Sequence, residues 1–150
     1  MLSKIIGKKL TDIYTVGFIY LEQEQNEFTP DLRWLYFEFE DILVEFESFE
    51  QYSRLKMEEV AEVRYQFEFD EDMIKVRSSI KDLVLVSSIL VNNVVKSIEL
   101  KDGTEENCAA AKILLENGEI IFIDPSFPYG IGVGGKEQEE YWDFVNNEDD

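Results

Sequence analysis

The groups in this chain that can do chemistry are almost all carboxylates. It holds 33 Asp and Glu, one cysteine and no histidine. Without histidine there is no Ser-His-Asp or Cys-His catalysis and no histidine-ligated zinc, and one cysteine cannot build a cysteine-rich zinc site. Carboxylate, lysine or tyrosine chemistry remains, together with a hard cation held by oxygens, or charge used for recognition. The stretch EFEDILVEFESFE, 38–50, alternates apolar and acidic residues and contains no base. In a strand, residues two apart share a face. Glu38 and Glu40 thus oppose Phe37 and Phe39, and Glu45 and Glu47 oppose Val44 and Phe46. A hairpin with its break at Glu40–Asp41 would gather Glu38, Glu40, Glu45 and Glu47 on one face. Adjacent like charges in a sheet are destabilising by roughly 0.2–1 kcal/mol per pair. Lysines on a third strand, a cation or a basic partner would offset that. The bland alternative is a solvated face.

Other motifs are less informative. DEDMIK, 70–75, sets Asp70, Glu71 and Asp72 together but lacks the spaced ligands and glycine of a calcium loop. No metal site and no cofactor is expected. Carboxylate pairs serve glycosidases, yet among 33 acids nothing marks one pair as catalytic. GIGVGG, 130–135, has no following Lys-Ser/Thr and runs into acidic KEQEEYWDF, wrong for phosphate binding. Tyr129, between Pro128 and Gly130, is expected at the surface, whereas Trp34 and Trp142 are expected in the core.

The elements that must carry these residues follow from composition and pattern. The chain has 150 residues and is 45% hydrophobic, enough for one domain with a real core. Two hairpins are predicted: LYFEFEDILVEFESF, 35–49, and LENGEIIFI, 115–123, around Asn117–Gly118. Residues 10–21, 62–69, 73–79 and 94–100 also read as strands, as does the chain from about Ala111. Short helices are predicted at LSKIIGK near the start and QEEYWDFV near the end, and 22–31 and 124–135 as loops. An internal repeat, 2–58 over 87–145, sets IIGKKLTDI (5–13) over LVNNVVKSI (90–98) and the hairpin at 35–49 over 111–127. The expected class is β-rich α+β, a mainly antiparallel sheet built from hairpins in one domain, with short helices near the termini.

Charge narrows the partners. The 14 bases leave a net charge of −19, which disfavours nucleic-acid backbones and favours basic proteins. Acids concentrate in 22–50, 58–72 and 137–150, and bases near Lys4, Lys8 and Lys9 and around 75–81, a dipole that steers a cationic partner. The lone Cys108 suits a reducing cytoplasm. No secretory pattern opens the chain, and no apolar run approaches the roughly 18 residues of a membrane span. A cytoplasmic protein is expected.

Size, acidic segments, absent histidine and the hairpins at 35–49 and 111–124 together resemble the small acidic immunity proteins of bacterial polymorphic toxin systems, including contact-dependent growth inhibition. The resemblance implies a non-catalytic, stoichiometric binder of a basic toxin, often a nuclease. It carries no residue over by position. The partner-binding candidates, Glu38, Glu40, Asp41, Glu45, Glu47, Asp70, Glu71, Asp72 and Tyr129, rest on the local charge argument. The alternatives are a self-associating scaffold subunit, a small-ligand or cation-binding domain, and a carboxylate hydrolase.

Overall fold

In the computed structural model, residues 1–20, 28–64, 73–80, 93–126 and 130–146 are described. The strands are β1 (Leu10–Tyr20), β2 (Phe28–Phe39), β3 (Ile42–Phe49), β4 (Arg54–Val60), β5 (Met73–Ser79), β6 (Val95–Lys101), β7 (Ala110–Leu115), β8 (Ile120–Asp124) and β9 (Gly132–Gly134), followed by one helix, α1 (Lys136–Asn146). A 3-10 turn, Leu2–Lys4, precedes β1. The architecture is the β-rich α+β class expected. Two antiparallel sheets form, in the orders β4-β3-β2-β1-β5 and β6-β7-β8-β9.

Period-2 alternation decides which side chains face inward. Leu35, Phe37 and Phe39 of β2 and Val44 and Phe46 of β3 meet Ala111, Ile113 and Leu115 of β7 and Ile121 and Ile123 of β8 in one apolar core shared by both sheets. The Phe37 ring packs on those of Phe46 and Phe39, with centroids 5.0 and 6.1 Å apart.

The two sheets agree in strand order and in register. Ile13↔Phe37 of β1–β2 corresponds to Ile98↔Ile113 of β6–β7, and both pairs lie beyond a register shift, at Leu10/Asp12 and at Val95/Ser97. Phe37↔Val44 and Leu35↔Phe46 correspond to Ile113↔Ile121 and Ala111↔Ile123, and Phe46↔Met57 to Ile123↔Val133. Backbone hydrogen bonds join the sheets in the same paired way. Leu55 N–H donates to Cys108 O (2.8 Å), and at the corresponding place Ile131 N–H donates to Leu32 O (2.7 Å). The starts of β1 and β6 pair with each other through Leu10 N–H to Asn93 O and Val95 N–H to Lys8 O, both 2.9 Å.

Several expectations need correction. Residues 28–31 belong to β2, not to a loop: Pro30 lies opposite Gly17 beside a register shift, where a missing N–H is tolerated. Arg54–Val60 is a strand that the pattern reading passed over, because only Leu55, Met57 and Val60 are apolar and charges fill the rest. Residues 61–64 are not strand, and 65–69 lie outside the described residues. Gly132–Gly134 extends the second sheet from within the expected loop. No helix among the described residues is long and apolar enough to cross a membrane.

The Leu32–Ile131 seam generates a test. Gly130 has φ +155°, and a Cβ there would lie 2.3 Å from Leu32 Cβ and 2.6 Å from its carbonyl oxygen. Gly130→Ala is expected to lower the free energy of unfolding by about 1–3 kcal/mol, read as a lower urea midpoint with unchanged slope. A wild-type midpoint would mean that the seam is not held this closely.

Candidate functional site

The acidic hairpin is only partly the open carboxylate face expected. Trp34↔Glu47, Tyr36↔Glu45 and Glu38↔Leu43 are cross-strand pairs, so Glu38, Glu45 and Glu47 do share a face. That face also carries a second apolar cluster of Val16, Trp34, Tyr36 and Val60, with Tyr14, Leu43 and Val63 packed against it. The cluster covers Glu45, which is only 6% exposed. Glu40 leaves the face altogether. It sits in the turn with φ +56°, and its carboxylate accepts from Lys9 N–H at 2.9 Å. The five hairpin acids therefore do not stand together: register, turn geometry and packing of the aromatics separate them.

Each acid has its own surroundings. Glu38 is half-buried and accepts from Thr11 Oγ1 (2.8 Å) and Tyr14 OH (3.3 Å). Asp41 is exposed and accepts from Lys8 Nζ at 3.1 Å, which pulls its pKa down. With Glu40, Ile42, Leu43, Ala61, Glu62, Val63 and Arg77, Glu38 and Asp41 line a small open pocket of about 280 Å³. Asp70, Glu71, Asp72 and Tyr129 lie outside the described residues.

Glu45 shows how the sheet tolerates like charges. Directly across from it on β4 stands Glu58. Arg64 bridges the two, with Nη2 2.6 Å from Glu58 Oε2 and Nε 3.4 Å from Glu45 Oε2. Tyr36 OH donates to Glu45 at 2.5 Å and accepts from Arg64 N–H at 3.2 Å. Burial first and the neighbouring Glu45 second push the Tyr36 phenol far above its ordinary range. The hydrogen bond to Glu45 and its charge hold Arg64 firmly cationic. The departure of 61–64 from strand geometry is what lets Arg64 reach back over this pair.

Glu47, on the same face as Glu45, opens instead into a groove. It stands across from Lys56 and makes no hydrogen bond or ion pair among the described residues. Burial, then the charge of Glu45, raises its pKa. The opening is a groove of about 940 Å³ lined by Glu47, Glu58, Glu59, Glu105 and Glu106, by Lys4 and Lys56, and by Met1, Phe49 and Met57. Met57 N–H donates to Glu105 O at 2.8 Å, so the turn after β6 closes the groove against β4. Glu59 takes Lys4 at 2.9 Å, and Glu105 takes the terminal ammonium at 3.3 Å. No group of three or more acidic or sulfur ligands suited to a metal occurs among the described residues.

The sequence reading missed Glu58, Glu59, Glu105 and Glu106. The usable signal for Glu58 was the alternation in RLKMEEV, Leu55 and Met57 inward against Lys56 and Glu58 outward; Glu59 falls on the inward side, opposite Val44, and the alternation does not mark it. Nothing in the sequence places 105–106 beside β4, because that contact spans the two sheets. Comparison with protein-family models, with curated proteins and with solved structures finds no match.

Two outcomes follow from this geometry. Arg64→Met leaves the buried Glu45 carboxylate short of a donor and Glu58 facing it. Unfolding free energy is expected to fall by about 1–3 kcal/mol, less than for a fully buried pair because Arg64 is half-exposed. Denaturant titration of Arg64→Met, and of Arg64→Met with Glu45→Gln, measures it; the second change should restore part of the loss. Glu47 behaves in the opposite sense. An acid whose folded pKa is raised binds its proton more tightly when folded, so its ionisation removes stability as pH rises through the carboxylate range. Glu47→Gln should therefore raise Tm at neutral pH and leave it unchanged below that range. A pH series of thermal melts on both proteins decides this.

Proposed function

We propose that this chain is a non-catalytic, stoichiometric protein-binding module whose acidic surface takes a basic partner, in the manner of an immunity protein neutralising a toxin. The observation that carries the reading is the groove: five glutamates around Phe49 and Met57, in a chain of net charge −19. Such a groove offers a lysine or arginine side chain an apolar floor for its stem and carboxylates for its head. Glu47 and Glu106 have no ion-pair partner among the described residues, so they are open to an incoming cation. The chain-wide negative field would speed encounter, and the desolvated centre would slow release.

Recognition of this kind needs no histidine, metal or nucleophile, which agrees with the composition. If the partner is a nuclease, the groove carboxylates would occupy the positions of substrate phosphates on its basic surface. The acids at 38–41 flank the same hairpin and would extend the negative surface toward Lys8 and Lys9.

The test is capture of a defined candidate, the product of the gene immediately upstream, on the immobilised chain. One basic polypeptide retained at equal stoichiometry and released as salt rises is expected. Glu59→Lys with Glu106→Lys reverses two exposed groove charges without touching the Arg64 bridge. It should weaken that complex by about tenfold or more, chiefly through the association rate. Unchanged binding by this variant would remove the groove as the contact surface.

A further inference from the structure

The helix α1 has two unlike faces. Toward the second sheet, Glu139 bridges Lys112 (3.1 Å) and Lys101 (3.3 Å), and Trp142 packs on Phe122 with ring centroids 5.9 Å apart. That side anchors the helix. The opposite side carries Tyr141, Phe144 and Val145, which are 54%, 67% and 44% exposed. Spacings of three and four residues put these three on one stripe. Glu137 lies one turn before Tyr141 on the same side, and Glu140 lies beside Phe144; both are exposed. The helix has a single base, Lys136, and it reaches Glu140 only at 4.0 Å.

The contacts of Glu139 and Trp142 hold this helix against the second sheet. Placing Phe144 two-thirds into water contributes nothing to that packing, and an exposed apolar stripe with a polar rim marks an interaction surface. Its rim is anionic, as is the whole molecule. A second copy would bring carboxylates onto carboxylates between chains of net charge −19 each, and an anionic lipid surface would be repelled in the same way.

We infer that the outer face of α1 docks a cationic, amphipathic surface of a partner protein. Apolar side chains of the partner cover Phe144, Tyr141 and Val145, and its lysines or arginines pair with Glu137 and Glu140. The inference rests on the protein-binding reading above and adds an apolar anchor outside the groove. It assigns the aromatic stripe to the off-rate and leaves the groove charges to set the on-rate.

The experiment uses the whole chain and three labelled probes followed by fluorescence anisotropy: an amphipathic peptide of lysine and leucine, its glutamate–leucine analogue, and poly-lysine. The proteins are wild type, Tyr141→Ser with Phe144→Ser, and Glu59→Lys with Glu106→Lys. Both changes in the helix variant are at exposed positions, and circular dichroism with a thermal melt verifies its fold. The lysine–leucine peptide should bind wild type saturably and the helix variant about tenfold or more weakly, a loss typical of aromatic anchors. The groove variant should bind it within about twofold of wild type, and the glutamate–leucine peptide should not bind. Equal binding by wild type and the helix variant overturns the inference. So does wild-type binding to poly-lysine with no gain from leucine, an outcome that leaves the cationic-partner reading standing. Binding to neither cationic probe removes both readings. Sedimentation showing a wild-type dimer that the helix variant cannot form overturns the choice of occupant in favour of a second copy.

Discussion

The inward faces of the two sheets must cover each other, and most other features follow from that constraint. Phe37, Phe39 and Phe46 on one side and Ile113, Leu115, Ile121 and Ile123 on the other form a single buried cluster. The outer face of the first sheet carries a smaller cluster, Val16, Trp34, Tyr36 and Val60, and a sheet's apolar face must be covered to be stable. Once the core residues point inward, the pleat sends Tyr36, Glu38, Glu45 and Glu47 outward on β2 and β3. It likewise sends Lys112 and Phe122 outward on β7 and β8. The backbone seams at Leu55–Cys108 and Leu32–Ile131 then hold the sheets together at their margins and satisfy strand ends that would otherwise be unpaired.

The two outer faces solve one electrostatic problem with opposite signs. The first sheet presents Glu45 beside Glu58, and the segment after β4 returns Arg64 to neutralise them. The second sheet presents Lys101 and Lys112, and α1 returns Glu139. Burial alone would raise the Glu139 carboxyl, but hydrogen bonds from Lys112 and Lys101 outweigh it and leave the pKa lowered. Burial alone would lower the Lys101 amine, and Glu99 and Glu139 reverse that. In each case, charge introduced by the sheet is compensated by the next element of the chain. Glu47 and Glu106, which have no ion pair among the described residues, line the groove beside the paired Glu58, Glu59 and Glu105.

This division explains how a strongly acidic molecule keeps a compact core. Glu45 and Glu58, opposed across β3 and β4, have Arg64 between them, whereas Asp12 and Glu38, opposed across β1 and β2, are met by the hydroxyls of Ser79, Thr11 and Tyr14. It also separates two kinds of surface in the proposed function. The groove is charged with an apolar floor, whereas the outer face of α1 is apolar with a charged rim.

Period-2 alternation was legible in 35–49 and 110–124, and Asn117–Gly118 marked its turn, because short-range steric and hydrogen-bonding preferences decide strands and tight turns locally. The sequence also set 5–13 over 90–98, and the described residues 10–13 and 95–98 of those segments lie at the starts of β1 and β6 with matching register. Composition alone excluded histidine chemistry and cysteine-rich zinc sites and gave the chain its strong negative charge. The sequence could not say which carboxylates are free. Glu45 and Glu47 are two residues apart on the same face. One is buried under Tyr36 and Arg64, 9 and 19 residues away in the chain, and the other opens into a groove that Glu105 and Glu106 help to line. Likewise Glu105 and Glu106 join the site only because the turn after β6 crosses to β4. Side-chain alternation is a property of one strand, whereas exposure and ion pairing depend on what a distant part of the chain lays over it, and only the tertiary structure decides that.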